Sequence, residues 1–239
     1  MLIGDNINQK SFNMMKFLRL LICVCILLIA DQTVYSAQEK WIFINQDQGV
    51  TMHSRKVAGH AESEFRGSST IDQPVEVVGA VLADIPSFTR WFYKCRQARK
   101  IPDKTSTDLN FLIYIVVETP WPLWNRDVVY AATTTIDIAS GNIKIQGHAR
   151  QDAGVPIRKG HVRITDSELQ WTLERLDSNQ TMVTFTKRIN AGGNLGSFLS
   201  DAGCKKTVFS SLVNMRDIAA DPKYAALGEQ FKREYGMDN

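Results

Sequence analysis

Histidine is scarce and scattered. The four histidines, His53, His60, His148 and His161, form neither an H-E-x-x-H pair nor a Cys/His ligand pattern. No G-x-S-x-G nucleophile elbow and no P-loop are present. The run Gly192-Gly193-Asn194-Leu195-Gly196 sits between a strand-like and a helical stretch, but it lacks the G-x-G-x-x-G spacing and no strand follows it. That excludes a dinucleotide loop. The chain is therefore expected to have no catalytic residue, no metal ligand and no cofactor.

Cysteine is equally sparse. Cys23 and Cys25 fall inside an apolar leader, and Cys23 follows Ile22 with further apolar residues after it, which disfavours lipidation. Cys95 and Cys204 remain, so there is no disulfide scaffold. They either pair in an oxidising compartment or sit apart as buried thiols. Basic runs do not exceed pairs such as Lys205-Lys206, and the net charge is only +3. Nucleic-acid binders concentrate Lys and Arg on one face, so that partner class is excluded. Long apolar runs are also absent. The stretch 17–30 is about 14 residues, short of the roughly 20 a helix needs to cross a bilayer.

That stretch follows Lys10 and Lys16 and contains Arg19, and Val34-Tyr35-Ser36-Ala37 supplies small residues after it. The arrangement is that of a secretory signal over residues 1–37, cut after Ser36 or Ala37. An uncleaved membrane anchor is the alternative, and Met14 or Met15 is an alternative start. Export to the periplasm or outside the cell is the expectation.

With 44% hydrophobic and 22% charged residues, the rest of the chain can bury a core without disulfides or metals. No Pro-, Gly- or Ser-rich linker interrupts residues 41–219, and there is no internal repeat. One domain is expected over residues 38–220, followed by a polar tail at 221–239.

Strand signals dominate. Residues 109–118 (LNFLIYIVVE) form a nearly continuous β-branched and aromatic run, apolar on both faces and so covered on both. Residues 127–138 have high strand propensity. Residues 139–142 turn the chain into 143–146, which alternates. Leu169, Trp171 and Leu173 alternate with polar residues, and Asp177-Ser178-Asn179 turns into 181–188. This is an antiparallel meander, not a βαβ series. Helices are expected at 74–83, with Asp72 as N-cap, at 87–92, and after Gly192-Gly193-Asn194. In the last, Leu195, Phe198, Leu199 and Ala202 recur at helical spacing, and Val208, Leu212, Met215 and Ala219 continue the stripe. Its length is roughly 24 residues, or about 36 Å.

Two segments are more specific than any periodicity. Thr119-Pro-Trp-Pro-Leu-Trp-Asn-Arg-Asp127 resembles the Pro-aromatic-Pro-x-x-x-Arg-Asp segment of START domains, the lipid-transfer family. Asn190-Ala-Gly-Gly-Asn-Leu-Gly-Ser-Phe-Leu199 is similar to the Asn-Pro-Gly-Gly segment opening that family's C-terminal helix. The resemblance covers roughly residues 40 to 218. It departs where the family has Pro and this chain has Ala191 and Gly196, and where Phe198 replaces Trp. It implies an α+β helix-grip fold: an N-terminal helix, a curved antiparallel sheet, and a long C-terminal helix over its mouth. It also implies a ligand tunnel between sheet and helix, apolar with a few placed polar groups.

On that basis Tyr114, Glu118, Arg126, Arg163, Trp171, Phe185, Phe198, Leu212 and Met215 are the candidate lipid-binding residues. Arg126 would grip an anionic head group. Alternatively it pairs with Glu118 or Asp127 as a structural ion pair. Arg163 is a second candidate, or else an exposed strand charge. Trp121 and Trp124 either cap the sheet edge or touch a membrane during loading. The expected function is non-enzymatic binding of a lipid or other hydrophobic molecule by a monomer that meets membranes transiently. A helix-grip cyclase or hydrolase and a ligand-sensing interaction module are the rivals, since a fold does not settle a function.

Overall fold

The computed structural model describes residues 39–151 and 154–237. The expected leader, residues 1–37, lies outside them. The described chain begins with three strands, β1 (Ile42–Asp47), β2 (Val50–Arg55) and β3 (Glu64–Ile71). Helix α1 (Val75–Ala83) follows, then a 3₁₀ turn (Ile85–Ser87) and the short α2 (Phe88–Trp91). Next come β4 (Cys95–Ile101), β5 (Asn110–Val117), β6 (Asn125–Asp137), β7 (Asn142–Ala149), β8 (His161–Arg163), β9 (Asp166–Arg175) and β10 (Thr181–Asn190). Two helices finish the chain, α3 (Ser197–Ala219) and α4 (Pro222–Glu234).

The strands make one sheet in the order β1-β2-β3-β10-β9-β7-β6-β5-β4. All neighbours along that path are antiparallel, and β8 adds a parallel pairing with the first residues of β6. That parallel strand is a departure from the expected meander. Alternation decides which side chains face the helices. On β10, Thr181, Val183, Phe185 and Lys187 are buried while Met182, Thr184 and Thr186 are only partly so.

Helix α3 lies across β3 and β10, with Cys204, Val208, Leu212 and Met215 buried beneath it. Gly67 on β3 permits this close approach. A Cβ there would sit 2.6 Å from Leu212 Cδ1 and 2.9 Å from Val208 Cγ1. Below the C-terminal half of α3 the grip is filled, not hollow. Trp171 and Phe185 stack at 3.8 Å between centroids, and Trp91 meets Trp171 edge-on at 5.9 Å.

Of the run at 109–118, residues 113–116 are covered on both faces, while Asn110 is exposed and the rest are half-buried. Ile113 and Ile115 join the main core, while Tyr114 and Val116 pack with Val129 and Val155 in a second cluster on the outer face.

One expectation is corrected. Asp72 does not cap α1. Pro74 occupies that position, and the Asp72 carboxylate accepts from the Gln180 side chain at 2.8 Å. The expected polar tail contains a packed helix over Pro222–Glu234. Asp221 caps α4 by accepting from the Lys223 N–H, with Pro222 in the first turn. Tyr224, Gly228 and Phe231 bury the helix against α1, where Gly228 leaves room for Val77: a Cβ would meet its Cα at 3.0 Å. Among the described residues no helix is long and apolar enough to cross a membrane.

Candidate functional site

Between the sheet and the first turns of α3 lies a cavity of about 420 Å³. That is within the range of roughly 300–1,000 Å³ typical of small-molecule sites. Its walls come from the ends of β5 (Ile115, Val117), β6 (Arg126, Val128, Tyr130) and β10 (Lys187, Ile189). Leu195, Leu199, Ser200, Gly203 and Cys204 close it from the helix side. Phe92 and Ile164 complete the apolar lining, and Glu118, Thr119, Pro120 and Leu123 form the rim.

Two segments frame the mouth. One is the loop between β5 and β6, where Trp121 is 92% exposed and Leu123 and Trp124 are exposed too. The other opens α3, where Phe198 is 81% exposed and Leu199 lies beside it. Gly192 (φ 69°) and Gly193 (φ 66°) take left-handed backbone, which explains two adjacent glycines where the chain leaves β10.

Arg126 bridges the two segments. Its NH1 donates to the Trp124 carbonyl at 2.6 Å and its Nε to the Ala191 carbonyl at 3.3 Å. The residue is 6% exposed, and burial lowers its pKa. It makes no ion pair among the described residues. Both expected partners are engaged elsewhere. Glu118 pairs with Arg96 at 2.8 Å and Lys94 at 3.8 Å, and the Arg96 bond holds its carboxyl below the usual range. Asp127 points to the opposite face of β6, where Arg163 forks onto it. The alternative of an Arg126 ion pair is therefore overturned, and so is that of Arg163 as an exposed strand charge.

Of the nine expected site residues, Glu118 and Arg126 line the cavity. Tyr114 and Arg163 do not: they lie with Asp127 on the outer face, Tyr114 Oη donating to Asp127 Oδ2 at 3.0 Å. Trp171, Phe185, Leu212 and Met215 are buried in the filled half of the grip, beyond the cavity's inner end. Phe198 points away from it into solvent. For Trp171, Phe185, Leu212 and Met215 periodicity identifies the inward face but not how far the hollow extends along it, and for Tyr114, Arg163 and Phe198 it gives the wrong face.

The same reasoning missed Tyr130, Lys187 and Cys204, which all reach the cavity. The signal was available, because Lys187 follows Val183 and Phe185 on the inward alternation of β10. Cys95 and Cys204 are free and buried, and burial pushes the Cys204 thiol up to about 12. Such a thiol is protonated at neutral pH and a poor nucleophile. Among the described residues no group of three His, Cys, Asp or Glu side chains could hold a metal ion.

No protein-family model matches the chain. A STAR-related lipid transfer protein from Xanthomonas axonopodis, solved as a fragment, is 30% identical, with a TM-score of 0.67 over 75% of this chain and 98% of that one. Human StAR-related lipid transfer protein 5 is 15% identical, with a TM-score of 0.65 over 92% of this chain and 98% of that one, a likeness of fold alone. An uncharacterized protein of Pseudomonas aeruginosa is 24% identical over 181 residues, which is 76% of this chain and 87% of its relative.

Proposed function

The chain belongs to the STAR-related lipid transfer (START) family, and from that premise we propose that it binds a lipid in the cavity between sheet and helix, without catalysing a reaction on it. The observation that carries this reading is the cavity itself. Its surface is mostly apolar, and it stays hollow in a domain whose other half is tightly filled. Apolar burial drives capture at about 25 cal/mol per Å². A single buried acyl chain gains several kcal/mol in this way with no covalent step.

Loading and release need the mouth to open, as lids commonly do. Most of α3 is fastened. Asn214 Nδ2 donates to the Trp91 carbonyl at 2.9 Å, Arg216 NH2 to the Gln48 carbonyl at 2.7 Å, and Asp201 accepts from the Ser63 N–H at 2.8 Å. The gate is therefore the short piece ahead of these clamps, residues 192–199, together with the 119–124 loop. Arg126 is the clasp between them.

Trp121, Trp124 and Phe198 are the surfaces that meet a membrane while the gate is open, since exposed aromatics suit the headgroup region. Transfer between membranes, action as a monomer, and export to the periplasm or beyond the cell by the leader at 1–37 belong to the same proposal.

Organic extraction of protein purified from its own compartment, followed by mass spectrometry of the extract, tests the reading. A copurifying lipid in near-stoichiometric amount is expected. Its absence, combined with no uptake from vesicles, would contradict it.

A further inference from the structure

The inner end of the cavity is where apolar side chains would be expected, and it is cationic. Along β6 the inward residues lining the cavity stop at Tyr130, with buried Ala132 beyond. Along β10 they stop at Lys187, with Phe185 of the aromatic stack beyond. Lys187 is 5% exposed, and no carboxylate forms an ion pair with it among the described residues. A buried ammonium without a counter-charge is costly.

Hydrogen-bond directions show what it lacks. Ser167 Oγ donates its one hydrogen to the Arg188 carbonyl at 2.9 Å, so it accepts from Tyr130 Oη at 2.7 Å. Tyr130 Oη, its hydrogen committed, accepts from Lys187 Nζ at 2.6 Å. The chain of donors runs one way and ends on a main-chain oxygen. An ammonium has three N–H donors. Two on Lys187 have no hydrogen-bond acceptor among the described residues, the ammonium's other contact being the Tyr130 ring at 5.0 Å. They are the free charged donors at this end of the cavity among the described residues. Of the charged residues lining the whole cavity, four are cations (Lys94, Arg126, Lys187, Lys206) and one is an anion, Glu118.

We infer that the ligand is an anionic single-chain amphiphile bound head-first, its carboxylate or phosphate accepting from Lys187 at the inner end. Its apolar body then runs outward past Ile115, Ile189 and Leu199 to the mouth. Size agrees with one chain. At about 420 Å³ the volume lies near the lower end of the roughly 300–1,000 Å³ range of small-molecule sites, which suits one chain better than two. The inference rests on the lipid-cavity reading and adds the head-group chemistry and its recognising residue.

Displacement of the neutral fluorophore N-phenyl-1-naphthylamine from the full chain tests it, with tetradecanoate, tetradecyl phosphate and tetradecanol as competitors. At least one anion should displace the probe about tenfold or more better than the alcohol, the worth of a charge-assisted hydrogen bond. Whichever anion is stronger identifies the head. Lys187→Met should bind the probe and lose the preference, while Lys187→Arg keeps it. Equal competition by alcohol and anions in the wild-type chain would overturn the inference, whether or not the Met variant folds. So would a preference that survives in Lys187→Met. If neither the probe nor any amphiphile enters, the lipid-cavity reading itself fails, a result distinct from equal competition.

Discussion

Arg163 and Asp127 form a forked ion pair on the outer face of β6, Nε to Oδ1 at 2.9 Å and NH2 to Oδ2 at 3.0 Å, and Asp127 is completely buried. Tyr114 donates to the same carboxylate, and NH1 and NH2 of Arg163 reach the Val155 carbonyl. The Asp127 bond raises the pKa of Arg163, so the guanidinium stays charged. It joins β6 to the parallel strand β8 and holds the 155–158 loop over β5. It also leaves the neighbouring Arg126 without a carboxylate, free to clasp the mouth from the other face.

Breaking that pair on one side should be severe. Asp127→Ala should cost about 3–5 kcal/mol, because it strands a buried guanidinium. Joining it to Arg163→Met should recover much of the loss. Urea unfolding of the two single variants and the double checks this. Additive losses would mean the two residues act independently.

Acid should weaken the fold. The Arg188 bonds hold the Asp166 carboxyl below its usual range, as Arg96 does for Glu118, the Lys223 N–H for Asp221 and the Ser140 hydroxyl for Asp137. Each folded pKa lies below the unfolded one. Their contribution is therefore complete above the unfolded value and is lost as pH falls through the folded one. Burial raises Glu168, which acts in the opposite sense: its contribution is present at low pH and lost as pH rises. With four groups against one, urea midpoints should fall below about pH 4. Asp166→Asn should make that fall shallower, and an unchanged acid limb would count against the Asp166–Arg188 pair.

Helix α4 should behave as part of the domain. Gly228→Ala drives a methyl into the Val77 backbone, and overpacking of this kind costs about 1–3 kcal/mol. Hydrogen exchange of residues 222–234 should rise in the variant. Unchanged protection would mean the helix does not rely on that contact.

Exposed aromatics at the mouth should matter for membranes and not for folding. Trp121→Ser combined with Trp124→Ser should lower vesicle cosedimentation about tenfold and shift stability by less than about 0.5 kcal/mol, as for other surface changes. Equal cosedimentation would place membrane contact elsewhere.

Much of the frame was legible in the sequence because its signals are local. The apolar run at 110–117, the Trp171 alternation and the stripe through Val208, Leu212 and Met215 each declare an element. Strand β3 was invisible, because two of its inward positions are Gly67 and Ser69, kept small where α3 crosses it. Helix α4 read as a tail because it buries few of its residues. The site was legible only in part. Arg126 and Asp127 are adjacent, and a strand sends adjacent side chains to opposite faces, so a motif quoted as a pair divides into a mouth clasp and an outer-face anchor. Where filled core gives way to hollow depends on the Trp171–Phe185 stack. That is a contact between strands, which no single segment reveals.

Native mass spectrometry of the chain after incubation with lipid vesicles, beside Ile189→Trp, tests most directly whether the hollow is a lipid site. One lipid per wild-type chain is expected, and the variant, its indole filling the space beneath Leu199, should carry little or none. A wild-type chain that takes up no lipid, or a variant that carries as much, would contradict the assignment.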